Sequence, residues 1–83
     1  METMIVEISV PAINETFDFQ LPASGMVRDV TRSVARILEE TQPGLTFDPE
    51  SPMLCHLVDG RILSPNDTLA AAGVYDGVRL MLL

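Results

Sequence analysis

Met26-Val27-Arg28-Asp29-Val30-Thr31-Arg32-Ser33-Val34-Ala35-Arg36-Ile37-Leu38-Glu39-Glu40 is the segment of this chain whose apolar residues repeat with a helical period. At about 100° per residue, Met26, Val27, Val30, Val34, Ile37 and Leu38 fall within an arc of roughly 120°, and the charged residues fall outside it. A helix of about four turns does not hold itself in water, so its apolar face needs a sheet to lie on. The flanking sequence supplies strands on both sides.

Before the helix, Met4, Val6, Ile8 and Val10 alternate with Ile5, Glu7 and Ser9, the pattern of a half-buried strand. Pro11 to Glu15 turns the chain, and Thr16 to Leu21 alternates strictly, with Phe17, Phe19 and Leu21 facing inward. The two form an antiparallel hairpin. Pro22-Ala23-Ser24-Gly25 ends the second strand, with Ser24 or Gly25 expected to cap the helix, and Thr41-Gln42-Pro43-Gly44 ends the helix.

After the helix, Leu45 to Pro52 reads as loop, with Leu45 and Phe47 plugged beneath it. Met53 to Val58 is strand-like, Asp59-Gly60 is a hairpin dipeptide, and Arg61-Ile62-Leu63 returns as a short strand. Asp67 or Thr68 caps one helical turn over Leu69 to Ala72, which Gly73 ends in the left-handed region. The last strand, Val78 to Leu83, puts Val78, Leu80 and Leu82 on one face and Arg79, Met81 and Leu83 on the other. The expected fold class is α+β: a single domain over residues 1–83, with a mixed four- to five-stranded sheet rolled around one main helix.

The totals narrow the function. Eighty-three residues, 47% apolar and 20% charged, make a small globular domain with little room for an enclosed cleft. No apolar run approaches the roughly 18 residues of a membrane span, so direct membrane insertion is not expected. The N-terminal residues lack a basic region before an apolar run, and a cytoplasmic location is the expectation. Twelve acidic residues face five arginines, there is no lysine, and the net charge is −7. That balance argues against nucleic acid as a partner, because phosphate binding relies on clustered cations. It also leaves no side-chain amine for acylation or branching.

Several side chains invite a chemical reading. Cys55 and His56 are adjacent, but neighbours on a strand point to opposite faces, so they are not expected to form a nucleophile–base pair. One histidine and one cysteine make no metal site, and no cofactor is expected. Arg28, Arg32 and Arg36 form a stripe at helical spacing. They read either as a contact for an acidic partner segment or as a solvated face that Asp29, Glu39 and Glu40 neutralise, with Glu39 and Glu40 at pairing distance from Arg36.

The stretch Leu57-Val58-Asp59-Gly60-Arg61-Ile62-Leu63, with Thr68-Leu69, Gly73-Val74 and Leu80-Met81-Leu82, resembles the third strand, turn and final strand of the ubiquitin-like β-grasp family. Met4, Val6, Ile8, Phe17, Phe19, Leu21, Val27, Val30 and Val34 fall on that family's core positions. The segment between helix and third strand is longer than ubiquitin's, and no Gly-Gly follows the last strand quoted. With the Thr16–Leu21 strand and the proline-bearing loop, these departures are similar to the small bacterial YukD family associated with type VII secretion.

The resemblance implies a non-catalytic, non-conjugated module that binds other proteins, an accessory of that secretion apparatus. Two alternatives stand beside it: a sulfur-carrier or modifier protein lacking its Gly-Gly tail, and a ubiquitin-like domain excised from a larger membrane component. By the family's turn register, Leu57 points away from the helix alongside Met81, Leu83 and Ile5, matching the apolar patch through which ubiquitin meets its receptors. Such a cluster reads as an interface, or as residues packed under the long loop or in a homodimer contact. The register also buries Leu54, His56 and Val58, whereas plain polarity buries Met53, Cys55 and Leu57 and exposes His56.

Overall fold

The computed structural model describes residues 2–47 and 52–83. Strand β1 (Thr3–Val10) and strand β2 (Glu15–Pro22) form the expected antiparallel hairpin, with Val6 opposite Phe19 and Ile8 opposite Phe17. A short 3-10 turn over Pro11–Ile13 joins them, and Asn14 adopts the left-handed conformation (φ 52°) that lets the chain reverse. Helix α1 (Val27–Thr41) follows, then β3 (Leu54–His56) and β4 (Arg79–Leu82). The sheet order is β2-β1-β4-β3, with β1 and β4 parallel and the other pairs antiparallel.

Helix α1 covers one face of this mixed sheet. Met4, Val6, Ile8 and Val10 from β1, Leu80 and Leu82 from β4, and Val27, Val30, Val34 and Leu38 from the helix form one core. Phe17 and Phe19 on the edge strand are only half-buried against it. The helix is turned toward Thr31 and Ala35, which are buried, so Ile37 lies exposed. Thr31 tolerates burial because its Oγ1 donates to the Val27 carbonyl at 2.6 Å. Leu45 is buried and Phe47 packs on the core, as the loop reading expected. The loop residues Asp48, Pro49, Glu50 and Ser51 lie outside the described residues.

Three local expectations are corrected. Neither Ser24 nor Gly25 caps the helix. Its N-cap is Met26, without a side-chain bond, and the first free N–H groups are taken by a distant turn: Val27 N donates to the Asp67 carbonyl at 2.8 Å and Arg28 N to the Pro65 carbonyl at 3.2 Å. Arg61-Ile62-Leu63 does not form a fifth strand. It makes one bridge, Ile62 with Cys55, flanked by the His56 N to Arg61 carbonyl and Leu63 N to Leu54 carbonyl bonds.

The third correction concerns Val58, which is 92% exposed rather than buried. Gly60 N donates to the His56 carbonyl, so the turn begins directly after His56 and carries Val58 off the sheet. Leu54 and His56 face the helix side as the turn register requires, with His56 8% exposed. The helical turn after Thr68 also forms: Ala71 N donates to Thr68 Oγ1 at 3.1 Å, and Gly73 has φ +84°.

Candidate functional site

The face of the sheet opposite α1 is built by alternation. In β4, Arg79 and Met81 alternate with the buried Leu80 and Leu82 and point outward, and backbone pairing sets them beside outward residues of the segment around β3. Met53 and Leu83 exchange both backbone hydrogen bonds, at 3.2 and 2.9 Å. Cys55 lies opposite Met81, and Leu57 N donates to the Arg79 carbonyl at 3.1 Å. Leu57, Met81 and Leu83 therefore share one cluster, together with Met53, which had not been singled out. Leu57 is 39% exposed and Leu83 49%, Met53 is also exposed, and Met81 is half-buried between them.

Ile5 shares the face but not the cluster. Its carbonyl accepts from Gly77 N at 2.7 Å, which places it level with Gly77. Along the chain, that level lies two residues from Arg79, the partner of Leu57, and six residues from Leu83, about 20 Å at roughly 3.3 Å per residue. The Glu7–Arg79 ion pair, at 3.3 Å, stands between. Ile5, 56% exposed, is thus a separate apolar spot. The signal that would have separated it is the β1–β4 register, which a single sequence does not carry.

Cys55 is buried on this outer face, its Sγ donating to the Met81 carbonyl at 3.6 Å, and burial pushes its thiol pKa upward. A thiol held neutral is a poor nucleophile. His56 points the other way, its Nε2 3.2 Å from the Ala72 carbonyl. The two adjacent side chains thus lie on opposite sides of β3 with separate partners. Among the described residues, no three His, Cys, Asp or Glu side chains gather into a metal cluster.

Arg28, Arg32 and Arg36 are all exposed on α1. Arg28 Nη2 donates to Asn66 Oδ1 at 2.6 Å. The expected pairing of Arg36 with Glu39 or Glu40 does not form: among the described residues the ion pair is Glu7 with Arg79, and Glu39 Oε2 instead accepts from Phe47 N at 3.2 Å. No helix among the described residues is long and apolar enough to cross a membrane.

The model of the family described as WXG100 protein secretion system (Wss), protein YukD, matches residues 5–82. The chain belongs to the YukD family. Among solved structures it is similar to the ubiquitin-like domain of EccD5 from Mycobacterium xenopi, at 28% identity and TM-score 0.73, over 100% of this chain and 94% of that one. Caldiarchaeum subterraneum ubiquitin matches at 22% identity and TM-score 0.73, over 98% and 91% of the two chains. Protomer 1 of the ESX-3 core complex matches at 22% identity and TM-score 0.75, with 99% of this chain laid on 16% of that one. No curated protein matches the chain by sequence. The fold is a ubiquitin-like β-grasp, and this YukD family member is a ubiquitin-like domain of a secretion-associated family.

Proposed function

We propose that this YukD family chain is a non-catalytic adaptor that binds protein components of a type VII secretion apparatus through the outer face of its sheet. The observation that carries the reading is the cluster of Met53, Leu57, Met81 and Leu83, whose apolar side chains stand together on the face that α1 leaves uncovered. Grouped apolar exposure of this kind exceeds the scattered exposure of an ordinary surface and fits a partner interface. Family membership and the likeness to the EccD5 domain support the secretion setting.

A second contact mode is strand addition. Among the described residues β2 pairs only with β1 and forms an edge of the sheet, so its outward N–H and C=O groups suit an extended partner segment. The likeness to a domain named as part of EccD5 also favours reading the chain as a domain that works within a larger component. Both readings keep the apolar face as the principal contact.

The test is a native pull-down with wild type, Leu57→Asp and Met81→Asp, each shown by circular dichroism to keep its fold. Both variants are expected to lose a shared set of secretion-machinery proteins. Identical partner sets for the three proteins would refute the face as the binding surface.

A further inference from the structure

We propose that a groove between the first two turns of α1 and the chain returning from β3 is a second docking site, and that it takes an extended acidic peptide segment with one apolar side chain. The groove holds about 340 Å³. That size suits one or two side chains of a passing segment, at the lower end of what ligand pockets offer. Its apolar lining includes Val27, Leu54, Leu63 and Ile62, and Ile62 is 58% exposed there.

Charge complementarity selects the occupant. Arg28 and Arg32 line the helix side of the groove. Arg28 is held by the neutral Asn66 side chain at 2.6 Å, which fixes the guanidinium without cancelling its charge. Neither arginine has a carboxylate within 4 Å among the described residues, although acidic residues outnumber arginines twelve to five in the chain. Two guanidinium groups beside an apolar groove put positive charge on a negatively charged protein. Guanidinium groups pair carboxylates bidentately, so the matching segment places acids on either side of an apolar residue.

The Val27 and Arg28 N–H groups at the helix start are already taken by the Asp67 and Pro65 carbonyls. The site is made of side chains. The groove meets the outer cluster at Met53, which lines it, but not at Leu57, Met81 or Leu83, and its test does not depend on those three.

The experiment is a nuclear magnetic resonance titration of the 15N-labelled full chain with the peptide acetyl-Glu-Glu-Leu-Glu-Glu-amide. Saturating shifts are expected at Arg28, Arg32, Leu54 and Ile62. Affinity is expected to fall at least tenfold with the Gln-for-Glu peptide, with the Gly-for-Leu peptide, and in R28Q/R32Q. Ile62→Ser, which removes an apolar wall and leaves both arginines in place, is expected to weaken binding as well. The proposal is overturned by any of four results: no response at millimolar peptide, an equal response to the neutral peptide, shifts confined to Leu57, Met81 and Leu83, or groove shifts that depend on protein concentration without peptide. The last would mean that a second copy of the chain occupies the groove.

Discussion

At Gly25 the requirement for glycine is spatial. Its backbone is not in the left-handed region, yet a Cβ there would stand 2.9 Å from Val30 Cγ2, 3.0 Å from the Pro22 ring and 3.2 Å from the Pro22 carbonyl oxygen. Two of those three neighbours are stiff, so the chain cannot give way cheaply. Gly25→Ala is therefore expected to cost about 1–3 kcal/mol. Since about 1 kcal/mol shifts the midpoint of a domain this size by roughly 4–8 °C, thermal denaturation reads the effect directly. A melting curve unchanged from wild type would show that the turn relaxes. Read in sequence, Gly25 was one of two candidate caps, because caps and close approaches both favour glycine. The Pro22 and Val30 contacts that distinguish the two roles exist only once strand and helix are packed. At His56 and Leu57 the turn dipeptide Asp59-Gly60 did carry the information, and polarity alone would have reversed the strand.

The element that fixes α1 in place is the turn from Ser64 to Ala72. It accepts from the first helical N–H groups through Pro65 and Asp67, and it donates back from Leu69 N to the Gly25 carbonyl at 2.9 Å and from Ala70 N to the Ala23 carbonyl at 3.2 Å. Leu69, fully buried, anchors this turn in the core. Leu69→Ala is expected to lose about 2–5 kcal/mol in urea unfolding. Amide exchange at Val27 and Arg28 is expected to speed up more than at Val34 and Leu38, because their acceptors sit on the loosened turn rather than within the helix. Uniform acceleration along α1 would contradict this coupling. Thr68 and Gly73 made the turn legible in sequence as a capped, glycine-ended helical piece. Its docking on the helix start was not legible, because backbone bonds between segments some forty residues apart leave no periodic trace. The same limit explains the return segment: Arg61-Ile62-Leu63 has strand composition, but the early turn at Leu57 leaves it room for only one bridge.

For the molecule as a whole, alternation in β1 and β4 and the helical period of α1 were enough to assign inner and outer faces, and with them the β-grasp roll. The composition of the outer cluster was less accessible. Membership depends on how β1, β4 and β3 slide against one another, which brought Met53 in and set Ile5 about 20 Å from Leu83 by strand rise. Charge acts at this same scale. The chain carries −7 within a body of 32 × 24 × 23 Å. At 10 mM salt the Debye length is about 30 Å, so nearly every charge feels every other, whereas at 150 mM it falls to about 8 Å. Net repulsion destabilises the compact state. Among the described residues the exposed Glu7–Arg79 pair stands against it, and an exposed pair contributes little. Raising NaCl from 10 to 150 mM at pH 7 is therefore expected to stabilise the fold by about 0.5 kcal/mol, which raises the melting midpoint by roughly 2–4 °C. Differential scanning calorimetry at fixed buffer composition measures the shift. A midpoint that falls with salt would mean that attraction between the arginines and nearby acids outweighs the summed repulsion, and the groove arginines would then not be free to meet an acidic partner.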